Sequence, residues 1–74
     1  MYTIYGTPTC GYCKEAMKLL DRNDLGYYYK DLTEGHIEEY KRLFPGKTSV
    51  PQITLDGHYI GGHDDLVQHL KDIS

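Results

Sequence analysis

Tryptophan is absent from this chain, phenylalanine occurs once, and cysteine occurs only at positions 10 and 13. So few cysteines exclude a framework of several disulfides, the device by which small secreted domains make up for a thin core. No basic cluster exceeds the pair Lys41-Arg42, and the net charge is −3. Gripping a phosphate backbone takes cations to neutralise it, so nucleic acid is not an expected partner, and Lys41-Arg42 reads as a solvated helix face. No apolar run reaches the ~7 residues of a secretory leader's core or the ~20 of a membrane span. Met1 leads directly into the first strand, so the expectation is a cytoplasmic, reducing location with no membrane partner. Repeats, linkers and low-complexity stretches are also missing, and residues 1–74 are expected to form one domain. A chain this short buries only about 60% of its unfolded surface, so every amphipathic face must be used. The eight tyrosines are unusual but suggest no function.

What the chain does have is Cys10-Gly11-Tyr12-Cys13, placed between Tyr2-Thr3-Ile4-Tyr5, which reads as a strand, and Lys14 to Leu20, which is strongly helix-forming. Gly6-Thr7-Pro8-Thr9 reads as the turn between them. A Cys-x-x-Cys at such a junction points to thiol–disulfide exchange. First-turn N–H groups of a helix lack backbone partners and the dipole favours negative charge there, which suits an anionic sulfur at Cys10. Cysteines three apart on one turn are close enough to bridge without moving the backbone. A purely structural bridge would close too short a loop to gain much chain entropy. A zinc site from Cys10, Cys13, His58 and His63 fits poorly: zinc-finger pairs lie about a dozen residues apart, and here the separation is far longer, with Gly61-Gly62 before His63.

Cys13, Ala16, Met17 and Leu20 form one apolar helical stripe, ended by Asn23, Asp24 and Gly26. Tyr27 to Leu32 reads as a second strand, with Tyr27-Tyr28-Tyr29 packing on both faces of a sheet. Strand, helix, strand within about thirty residues makes a βαβ unit with parallel strands and a right-handed crossover. Ile37, Tyr40 and Phe44 mark a second helix stopped by Pro45-Gly46. Gln52 to Leu55, Asp56-Gly57 and His58 to Ile60 read as a hairpin. A last helix follows Gly61-Gly62, with Asp64 as its N-cap and Leu66, Leu70 and Ile73 on its apolar side. The order βαβαββα predicts an α/β fold, a four-stranded mixed sheet flanked by three helices.

With Thr7-Pro8-Thr9-Cys10-Gly11-Tyr12-Cys13, Ser49-Val50-Pro51-Gln52-Ile53 and Gly61-Gly62-His63-Asp64-Asp65 in this order, the chain resembles a glutaredoxin, a small member of the thioredoxin fold. The likeness spans nearly the whole length. It implies a cis peptide before Pro51 that leaves the N–H and C=O of Val50 free to pair with an extended peptide, the cysteinyl part of glutathione. It implies that the N–H groups at Asp64 and Asp65 hold the γ-glutamyl carboxylate and that the Asp65 carboxylate holds the α-amino group. Thr9, Tyr12, Ser49, Val50, Pro51, Gly62, Asp64 and Asp65 are then the expected glutathione contacts. Cys10 is the nucleophile and Cys13 the resolving thiol. Glutathione and disulfide-bearing proteins, ribonucleotide reductase being one candidate, are the implied partners of a monomer.

Three positions depart from the family pattern. Thr7 stands where many members carry Lys or Arg, Glu38 where many carry Gln, and Gly11 where Pro is commoner. The first two usually hold the glycyl carboxylate, and Lys41, Arg42 or Lys47 are the candidate substitutes. Thr7 and Glu38 also suit an alternative, an electron donor recharged by a thioredoxin reductase. Gly11 suits another, a dimer holding a [2Fe–2S] cluster on two protein and two glutathione thiolates.

Overall fold

A computed structural model describes residues 1–73. The elements are β1 (Tyr2–Gly6), α1 (Gly11–Arg22), β2 (Tyr27–Asp31), a 3₁₀ turn (Leu32–Glu34), α2 (Ile37–Leu43), β3 (Gln52–Leu55), β4 (His58–Gly61) and α3 (His63–Ile73). The sheet order is β2-β1-β3-β4. β1 and β2 are parallel, with Ile4 opposite Tyr29, while β1–β3 and β3–β4 are antiparallel. The expected element order and mixed four-stranded sheet are therefore present.

Side chains alternate across β1. Tyr2 and Ile4 enter an aliphatic core with Ala16 and Leu20 of α1, Ile53 of β3, and Leu66 and Leu70 of α3. Tyr5 points the other way and packs with Tyr40 and Phe44 from α2 and its C-cap. The hairpin turn takes the expected form: Asp56 and Gly57 have φ of 50° and 86°.

Four local expectations are corrected. β2 ends at Asp31, because the Asp31 carboxylate accepts from Thr33 N–H at 2.8 Å and draws Leu32 into the 3₁₀ turn. Tyr28 is exposed, since β2 is an edge strand and the seven residues of α2 leave its end of the sheet uncovered. At helix ends, Ile73 is largely solvated and Ile37 partly so. Finally, α3 starts at His63, so Asp64 is not its N-cap; Asp65 reaches back instead, accepting from Gly62 N–H at 3.0 Å.

Candidate active site

Cys10 is the N-cap of α1, and its Sγ accepts from Cys13 N–H at 3.2 Å. The preceding turn is closed by Cys10 N–H donating to Thr7 O at 3.2 Å. Both cysteines are free thiols, Cys10 partly exposed and Cys13 wholly buried. Burial, followed by the hydrogen bond with Cys10, pushes the Cys13 thiol up to about 12. Cys13 is therefore protonated at neutral pH, and the accessible sulfur is the one at the helix start. Gly6 makes the burial possible: a Cβ there would stand 2.5 Å from Cys13 Sγ.

The Val50–Pro51 peptide is cis, as the resemblance to glutaredoxins implies. The carbonyl of Val50 is not free, however. The Cys10 thiol donates to it at 3.7 Å, a contact that joins the two loops in the reduced protein. The same loop is held from behind by Tyr40, whose hydroxyl donates to Ser49 O at 2.6 Å.

Tyr12, Ser49, Val50, Pro51, Gly62, Asp64 and Asp65 all line one open cavity of about 390 Å³. Seven of the expected contacts thus converge from α1, the loop before β3 and the start of α3. Thr9 does not join them; it is exposed on the turn before α1. The Asp65 carboxylate is partly committed, with Oδ2 on Gly62 N–H, and it packs where a Cβ at Gly61 (φ 130°) would collide with it. Asp64 is exposed and its Oδ1 lies 3.2 Å from Nδ1 of His63.

Four further wall residues are Lys47, Gln52, Tyr59 and His63. Of the three candidate cations, only Lys47 reaches the wall; Thr7 and Glu38 are not part of it. His63 packs on Tyr12 with ring centroids 5.4 Å apart, rather than joining the cysteines. Among the described residues, no three potential metal ligands gather, so the Cys–His zinc arrangement does not form. Gln52 and Tyr59 carried a usable signal: a glutamine opening a buried strand directly after Pro51, with a tyrosine on the next strand of the same hairpin. No helix among the described residues is long and apolar enough to cross a membrane.

The glutaredoxin family model matches residues 2–60. Glutaredoxin 1 of Rickettsia prowazekii (strain Madrid E) is 38% identical over 66 residues, covering 85% of this chain and 70% of that protein. Glutaredoxin 3 of Escherichia coli (strain K12) is 35% identical over 65 residues, covering 85% of this chain and 77% of its own length. Among solved structures, a buckwheat glutaredoxin–glutathione complex superimposes with a TM-score of 0.81 at 25% identity, covering 96% of this chain and 68% of the other.

Proposed function

This chain belongs to the glutaredoxin family of thiol–disulfide oxidoreductases, with the thioredoxin fold, and from that premise we propose that glutathione is its reductant and binds beside Cys10. The observation that carries the reading is the single cavity in which the Val50 backbone, the first turn of α3 and the cation of Lys47 meet. An extended peptide can pair with the Val50 N–H, and a carboxylate suits the unpartnered N–H groups of the first turn of α3. Lys47 supplies the charge for the second carboxylate, in place of the family cation that Thr7 replaces.

In the proposed cycle the Cys10 thiolate attacks the glutathione sulfur of a mixed disulfide. Its contact with the Val50 carbonyl is given up on ionisation, while the Cys13 N–H still points at the sulfur. The substrate thiolate leaves and takes a proton, and Cys10 carries glutathione. A reduced glutathione thiolate then attacks the carried glutathione sulfur, forming glutathione disulfide and releasing the Cys10 thiolate, so each mixed disulfide reduced consumes one reduced glutathione. Cys13 offers a second exit, attacking Cys10 Sγ with its proton passing to the departing glutathione. Burial of Cys13 as a thiol favours the first exit. A [2Fe–2S] cluster shared by two copies would take Cys10 as the ligand from each chain, because Cys13 has no exposed surface; red-brown colour in protein purified without oxygen tests that reading.

The test is turnover of a glutathione mixed disulfide by glutathione with glutathione reductase, set against thioredoxin reductase. Glutathione should support turnover, Cys10→Ser should abolish it and Cys13→Ser should retain it. Turnover with thioredoxin reductase alone would overturn the glutathione reading.

A further inference from the structure

The peptide joining Ser49 to Val50 is gripped by its carbonyl. Tyr40 hydroxyl donates to Ser49 O at 2.6 Å and Gln52 Nε2 donates to the same oxygen at 3.1 Å, so both lone pairs are engaged. Gln52 Nε2 also reaches Ser49 Oγ at 3.3 Å. The amide of Gln52 is itself fixed, because Tyr59 hydroxyl donates to its Oε1 at 2.5 Å. Tyr40 and Gln52 are each only 4% exposed, so these bonds are shielded from competing water. Tyr40 is steadied in turn by Phe44, whose ring centroid lies 5.3 Å away.

A planar trans peptide directs its C=O and its N–H to opposite sides. The cis bond in this loop is the next one, Val50–Pro51, so the Ser49–Val50 plane obeys that geometry. Pinning the carbonyl toward Tyr40 and Gln52 therefore aims the Val50 N–H away from them. We propose that Tyr40 and Gln52 are positioning residues that present the Val50 N–H to the backbone of a cysteinyl peptide, with Tyr59 setting the orientation of the Gln52 amide. The inference rests on the glutathione reading above and assigns the orientation of its peptide-pairing group to residues outside the sequence motifs of the site or at their edge.

The test compares two disulfides. One is a glutathione mixed disulfide, whose amides can pair with Val50; the other is hydroxyethyl disulfide, which has none, followed as a single turnover of the reduced protein. Tyr40→Phe, which keeps the ring against Phe44, should raise KM for the glutathione substrate about fivefold. Gln52→Met, which removes the donor to Ser49 O without placing a charge in the cavity wall, should raise it by a similar factor. In both, kcat and the hydroxyethyl disulfide rate should stay within about twofold of wild type, and the Val50 amide resonance should shift. Gln52→Met carries the test if Tyr40→Phe does not fold. An unchanged KM, or equal losses on both disulfides, would overturn the positioning role. Wild-type protein with no preference for the glutathione substrate would remove the glutathione reading first, and this inference with it.

Discussion

Ile4 and Tyr5 are neighbours on β1 yet enter two differently built halves of the molecule. Ile4 joins Leu20, Ile53 and Leu66 in an aliphatic core without a polar atom among those side chains. Tyr5 joins Tyr40 and Phe44 in an aromatic cluster whose hydroxyls are all spoken for: Tyr5 donates to Glu39 and Tyr40 to Ser49 O. Phe44 extends the cluster to Tyr59, 5.4 Å between centroids, and so to the cavity wall. The aliphatic half contributes non-directional burial, which sets whether the chain folds. The aromatic half contributes directional bonds, which set where the Ser49–Pro51 loop sits. Several of the tyrosines that suggested nothing in sequence are thus the means of building the site.

The largest effect should come from the aliphatic half. Leu20 is fully buried, and Leu20→Ala should cost about 3 kcal/mol in a denaturant melt, from lost transfer energy plus the cavity left behind. Turnover per folded molecule should stay near wild type. A Leu20→Ala protein of normal stability but impaired turnover would break the division of labour.

Gly6 packs on Cys13 and on Tyr29 of the aliphatic half, so Gly6→Ala should disturb that half where it meets the site. Its Cβ would stand 2.5 Å from Cys13 Sγ and 3.3 Å from the Tyr29 ring, and strain of this kind costs about 2 kcal/mol. Because the sulfur must move, closure of the Cys10–Cys13 disulfide by glutathione disulfide should slow more than turnover through glutathione. Equal changes in the two rates would show that Cys13 is not the group displaced.

Much of this was legible in sequence where the signal is local. Cys13, Ala16 and Leu20 recur at the helical period, so their burial on α1 was readable, as was the Asp56-Gly57 turn. The three motifs of the site were readable because each keeps its chemistry within a few residues. The tyrosine bonds were not, because they depend on which distant atoms the fold brings together: Tyr40 on α2 meets Ser49 O, and Tyr5 on β1 meets Glu39 on α2. The α3 cap was misread for a related reason. Gly62 precedes the helix without a side chain, so the carboxylate three residues on, Asp65, serves its N–H.

Glu39 sharpens the comparison through pH. Lys30 Nζ lies 2.6 Å from Glu39 Oε2 and stands 5.5 Å over the Tyr5 ring. The hydrogen bond from Lys30, then that from Tyr5, holds the Glu39 carboxyl below the usual glutamate range. A depressed folded-state value means that its stabilisation is fully present above the unfolded value of ~4.3 and is lost as pH falls through the folded one. Glu39→Gln should therefore be about 1 kcal/mol less stable than wild type at neutral pH, the gap closing in acid. A gap that persists at low pH would assign the loss to packing.

The smallest expected effect tests the cavity wall and leaves both halves of the fold intact. Lys47 is exposed and lines the cavity, whereas Glu38 and Thr7 do not. If Lys47 meets the glycyl carboxylate, Lys47→Gln should raise KM for glutathione about three- to fivefold at low ionic strength, with kcat nearly unchanged, because the lost attraction acts about equally on ground and transition states. The increase should shrink as salt screens the wild-type pair, since the Debye length falls to ~3 Å at 1 M. Melting should not move, as no core contact is lost. Glu38→Gln with Thr7→Lys should change KM less than Lys47→Gln, since neither side chain reaches the wall. The reverse ranking would place the carboxylate over the start of α2 and leave Lys47 as a solvated rim charge.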